Sequence, residues 1–73
     1  MIFRGLGNEI LEVVKPETNN GVIPRVGEHV TFDGKKEYIT IGVVHDYASG
    51  VIDVHVRPAT SSDRTFLEKE GYY

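Results

Sequence analysis

Two β-branched runs constrain this chain more than anything else in it. Residues 37–45, Glu-Tyr-Ile-Thr-Ile-Gly-Val-Val-His, and residues 51–57, Val-Ile-Asp-Val-His-Val-Arg, flank Asp46-Tyr47-Ala48-Ser49-Gly50, and Pro58 stops the second run. Alternation of this kind between turn residues predicts an antiparallel hairpin. Its register must put the apolar side chains of both strands on a common face. A four-residue loop over residues 46–49 does so. It sends Ile39, Ile41 and Val43 inward with Ile52, Val54 and Val56, and it sends Tyr38, Thr40, Gly42 and Val44 outward with Val51, Asp53, His55 and Arg57. Gly42 is the point at which this arrangement can change, because a bulge there reverses parity for every residue before it and turns Tyr38 inward.

The remaining segments are shorter. Ile2-Phe3-Arg4-Gly5-Leu6 and residues 9–15 flank Gly7-Asn8, a pair that tolerates positive φ and predicts a first hairpin with a two-residue turn. Residues 16–21 are a polar loop, and Pro24 and Gly27 give residues 22–27 an extended lead-in followed by a turn. Glu28-His29-Val30-Thr31-Phe32 alternates as a strand, and Asp33-Gly34-Lys35-Lys36 reads as a turn. After Pro58, Thr65 and Glu68 have capping-box spacing and Gly71 is a stop, so a short C-terminal helix is expected. The fold class expected is all-β or β-rich: a small barrel or a five-stranded antiparallel meander with that short helix. Residues 1–73 form one domain, with residues 58–73 as its tail.

Composition bounds the function. Seventy-three residues without a cysteine leave no disulfide staple, thiolate metal site or thiol nucleophile. About 1.5 kcal/mol of conformational entropy opposes the ordering of each residue, so a large buried active-site cavity is disfavoured in so short a chain. Eight basic residues against eleven acidic give a formal charge of −3, with the cations dispersed along the sequence. That balance disfavours nucleic acid, whose binding depends on neutralising several phosphates together. Met1-Ile2-Phe3-Arg4 does not open a signal peptide, and no run approaches the roughly 20 apolar residues of a membrane span, so a cytoplasmic protein without membrane contact is expected.

Pro24-Arg25-Val26-Gly27-Glu28-His29-Val30-Thr31-Phe32-Asp33-Gly34, followed by Tyr38-Ile39-Thr40 and Val43-Val44-His45-Asp46, resembles the opening strands of SH3-like small β-barrels. There, a Val-Gly-acidic-x-Val lead-in precedes a short hairpin and a long bent strand. The likeness covers residues 24–58, about half the chain. In size and style the chain also resembles small accessory proteins of bacteriophages and other mobile elements, many of which occlude a host protein. Such barrels serve peptide binding, RNA binding and assembly alike, so the resemblance implies a fold more than a function.

The group best suited to chemistry is His45, Asp46, Asp53 and His55, since imidazole and carboxylate serve as metal ligands and as acid/base groups. In the register above, His45 lies at the loop end and His55 opposite Thr40, so they do not converge, and His29 stands on another strand. Exposed histidines on a wet sheet face are the simpler reading. The serines lack a nucleophile-elbow context, and Gly5-Leu6-Gly7 lacks the lysine and glycine spacing of a phosphate loop. No catalytic residue, metal or cofactor is therefore expected. The expectation is a non-enzymatic protein-binding module, one that inhibits or redirects a host protein. Its contact residues would be Tyr38, Tyr47, Asp53, His55 and Arg57 on the outer face, joined by Phe66, Tyr72 and Tyr73 of the tail. Single-stranded nucleic-acid binding by the same face, through aromatic stacking backed by Arg57, is the alternative. A self-assembling structural component joined through strand edges, as in a virion, is another.

Overall fold

The structure, a computed structural model, describes residues 1–15 and 22–61. The strand-rich architecture is as expected. Five strands, β1 (Ile2–Arg4), β2 (Ile10–Val13), β3 (His29–Thr31), β4 (Glu37–Asp46) and β5 (Val51–Pro58), form one sheet in the order β2-β1-β5-β4-β3. The sheet is curled into a half-barrel compatible with a small β-barrel. β1 runs parallel to β5 and antiparallel to β2, so the sheet is mixed where a meander would be antiparallel throughout. The expected C-terminal helix, with Phe66, Tyr72 and Tyr73, lies outside the described residues.

The β4/β5 hairpin departs from the expected register in two ways. Asp46 pairs with Val51, which leaves Tyr47-Ala48-Ser49-Gly50 as the loop. Gly50 belongs in the turn because its φ is 76° and its amide donates to the Asp46 carbonyl at 2.8 Å. This slides the pairing by two residues, and a slide of two preserves both faces. The second departure does change faces. A bulge between Thr40 and Gly42 sets Thr40 opposite Val56 but Gly42 opposite His55. Parity therefore reverses below it: Tyr38 and Thr40 turn inward, and Ile39 comes opposite Arg57 yet remains buried. Ile41, expected inside, is the extra residue and is 44% exposed.

The inner face carries the core. Phe3 sits beside Val54, Val54 opposite Val43, and Val56 opposite Thr40. Phe3, Val54 and Val56 are buried, and Met1, Leu11, Val14, Ile23, Val30, Phe32, Tyr38, Val43 and Ile52 pack around them. Phe32 joins two aromatic contacts, meeting Phe3 edge-on at 4.9 Å between centroids and Tyr38 at 5.5 Å. The inward turn of Tyr38 thus places its ring against other rings, where such contacts contribute about 0.5–1.5 kcal/mol beyond area burial.

Thr40 is the cost of the bulge. It is 1% exposed and its hydroxyl finds no hydrogen-bond partner. A buried unsatisfied hydroxyl is destabilising, so Thr40→Val, which replaces it with a methyl group of similar shape, is expected to raise stability by about 1 kcal/mol in urea denaturation. A lower midpoint for the variant would show that the hydroxyl is satisfied in solution.

The turns are held locally. In the first hairpin, Gly5 and Glu9 close a three-residue loop: the Gly5 amide donates to the Glu9 carbonyl and the Asn8 amide to the Gly5 carbonyl, each at 3.0 Å. Only Asn8 takes positive φ, at 64°, so the loop is a turn followed by a left-handed residue in place of the expected two-residue turn. Asp33 accepts from the Lys35 and Lys36 amides, and Asp46 from the Ala48 and Ser49 amides. These bonds hold both carboxyls below the usual aspartate value: backbone donation from Lys35 leads at Asp33, and the Ser49 side chain leads at Asp46. A lowered folded-state value means stabilisation that is complete above the unfolded-state value, about 3.9, and is lost as pH falls through the folded one. Asp46→Asn is therefore expected to lower the urea midpoint near neutral pH, with the gap to the parent chain narrowing as pH falls below the ordinary aspartate range. A gap independent of pH would remove the charge from this account.

Candidate functional site

The outer face carries the charged pairs. Arg4 and His55 are neighbours across β1 and β5, and Arg4 Nε donates to Asp53 Oδ1 at 3.0 Å, with both side chains about one-quarter exposed. A further Arg4 nitrogen donates to the Asn8 carbonyl at 3.1 Å, so one guanidinium ties β1, β5 and the first hairpin loop together. Asp53, expected as a contact residue, is therefore already engaged by Arg4. His55 faces Gly42 where Thr40 was expected, and Arg57 faces Ile39 and donates to the Pro58 carbonyl at 3.2 Å. Tyr38, which the expected register sets opposite Arg57, is opposite Pro58 instead. The cation over Tyr38 is Lys36, its Nζ 5.3 Å from the ring centroid.

The histidines are dispersed. His29 Nδ1 lies 3.2 Å from Glu37 Oε2, a partly buried pair between β3 and the start of β4. His45 stands at the hairpin end with its ring 6.2 Å from that of Tyr47 and nearly parallel to it. Asp46 serves the turn, and among the described residues no three histidines or carboxylates are placed to hold a metal ion.

What the structure gathers instead is the free end of the β4/β5 hairpin with the chain beside it. Tyr47, expected as a contact, is 92% exposed at the loop, and Val44 is 51% exposed on the outer face. On the inner face, Val43 and His45 line an open cleft with Ile23, Pro24, Arg25 and Val26. The far wall of that cleft is set by the turn Arg25-Val26-Gly27-Glu28. The Glu28 amide donates to the Arg25 carbonyl, Gly27 has φ 93°, and the Glu28 carboxylate accepts from the Arg25 amide. Gly27 at that position is what a type II turn requires, and the turn leaves Val26 67% exposed. Arg25, Val26 and Ile41 were not among the expected contact residues. The signals in the sequence were the Val26-Gly27 pair, which marks a turn, and the Ile41-Gly42 pair, which marks the bulge.

Of the expected contact residues, then, Tyr47 stands at this hairpin end, while Asp53, His55 and Arg57 lie on the outer face and Tyr38 packs against the core. Among the described residues no helix is long and apolar enough to cross a membrane. No protein-family model matches the sequence, and neither a curated protein nor a solved structure matches it.

Proposed function

We propose that the chain is a non-catalytic protein-binding module that acts through the free end of the β4/β5 hairpin and the adjoining turn. The observation that carries this reading is the succession of exposed apolar and aromatic side chains along β4 and its loop, Ile41, Val44 and Tyr47, with exposed Val26 lining the cleft on the inner side of the same strand. An exposed aromatic among apolar side chains with a charged surround suits an interface anchor and its rim. The expectation that the partner is a host protein, inhibited or redirected by a small accessory protein of a mobile element, remains part of the proposal. It rests on the resemblance in size and style given above.

Nucleic acid is the poorer fit. Arg4, the central cation of the outer face, is held by Asp53, and the chain as a whole is acidic. The test is capture from a bacterial lysate after nuclease treatment, comparing the parent chain with Val26→Ser. The proposal expects a protein retained by the first and depleted with the second. A catch that disappears with nuclease, or one indifferent to the substitution, would contradict it.

A further inference from the structure

Beyond Thr40, β4 has no backbone hydrogen bond on the side away from β5 among the described residues. The β3 ladder ends where the Gly27 amide donates to the Thr40 carbonyl and the Thr40 amide to the Glu28 carbonyl, at 2.8 and 2.9 Å. Residues 41–46 therefore present an edge of about 20 Å. Natural edges are blunted by lysine, proline, inward-pointing charge or a bulge; Ile41-Gly42-Val43-Val44 carries no lysine, proline or charge, and the bulge lies at the start of the stretch, with residues 42–46 in regular register against β5. A side chain added at Gly42 would meet nothing within 4 Å, and Gly42 is not among the glycines with positive φ, so neither crowding nor backbone conformation demands a glycine there. Gly42 sits at the bulge, and its lack of a side chain leaves the edge open there.

We infer that this edge receives an extended segment of a partner protein, added as a further strand, with an acidic side chain directed at Arg25 and His45. The inference rests on the protein-binding reading and gives the partner its chemistry. Unpaired amides and carbonyls in a row are complementary to another extended backbone, and side chains then read the neighbouring pockets. Here the neighbouring cleft has Arg25 and His45 in its lining, and among the described residues no carboxylate lines it. The nearby carboxylates have partners of their own: Glu28 accepts from the Arg25 amide and Asp46 from the loop amides. A second copy of the chain fits less well. Pairing along about 20 Å joins two narrow strips, well short of the roughly 1,200 Å² that stable interfaces bury. The acid it would offer from residues 41–46 is Asp46, whose carboxylate is engaged by the Ala48 and Ser49 amides.

The test uses the intact chain and two capped seven-residue peptides, Thr-Val-Thr-Glu-Thr-Val-Thr and its counterpart with lysine at the centre, followed by amide hydrogen exchange and by titration. The acidic peptide is expected to slow exchange within residues 41–46 and to bind about fivefold more tightly than the basic one. Arg25→Glu should reverse that preference, and Ile41→Lys should weaken both peptides. Slowed exchange elsewhere, equal affinities, no binding by either peptide, or an edge already protected in the free chain would each overturn the inference. A lysate partner that remains sensitive to Val26→Ser while the peptides fail would sink strand addition alone. Loss of both would sink the protein-binding reading with it.

Discussion

Phe3→Ala is expected to leave the chain without a cooperative fold at 25 °C. Phe3 is 4% exposed in β1, beside Val54 of β5 and opposite Glu12 of β2, and its ring meets Phe32 edge-on. The three-residue strand β1 is what joins β2 to the rest of the sheet, and Phe3 is its buried side chain. Truncating a buried phenylalanine costs about 3–5 kcal/mol, and a single core in a chain of this length rarely supplies more than that in total. The expected result is a far-ultraviolet circular dichroism spectrum without strand signal and amide resonances collapsed to random-coil positions. Phe3→Leu, which keeps most of the volume, should stay folded with a lower urea midpoint. A folded Phe3→Ala would show that β1 and β2 are dispensable and that the remaining three strands hold themselves.

The second large effect concerns two tyrosines that the sequence presents alike. Tyr47→Ala is expected to weaken partner binding by about 30-fold, the size of an interface hot spot of about 2 kcal/mol, while leaving the urea midpoint unchanged. Its ring touches His45 and is otherwise in solvent, so the fold does not depend on it. Tyr38→Ala should do the reverse. Tyr38 packs on Phe32 beneath Lys36 and belongs to the core periphery, so its loss lowers the midpoint, and binding changes only as far as the folded population does. Equal effects of the two substitutions on binding, with equal stabilities, would show that the inner and outer positions have been misassigned.

These two residues also show how far the fold can be read from sequence. The β4/β5 hairpin was legible because β-branched alternation on both runs leaves few registers that bury one face. Val54, Val56 and Val43 point inward as expected, even though the pairing slid by two residues. The side taken by Tyr38 depends on whether a bulge forms near Gly42. A glycine permits a bulge without compelling it, and what favours this one is long-range: the aromatic contacts of Phe32 with Phe3 and Tyr38. The parallel pairing of β1 with β5 was hidden for a similar reason. Ile2-Phe3-Arg4 is three residues long, too short to carry a face pattern, and the Arg4–Asp53 pair that accompanies the pairing spans 49 positions. For the candidate site, Tyr47 could be found because Asp46-Tyr47-Ala48-Ser49-Gly50 had to be a turn. Arg25 and Val26 could not, because their approach to Val43 and His45 depends on where the chain before β3 crosses the half-barrel.

The most direct measurement of the central claim is amide chemical-shift mapping of the intact chain as the partner retained by capture is titrated in. The account predicts that perturbed resonances cluster on residues 41–47 and 23–26, the hairpin end and the turn across the cleft from it. Perturbations centred on Arg4, Asp53 and His55 with Ile10 and Val13 would instead place the interface on the outer face and contradict it.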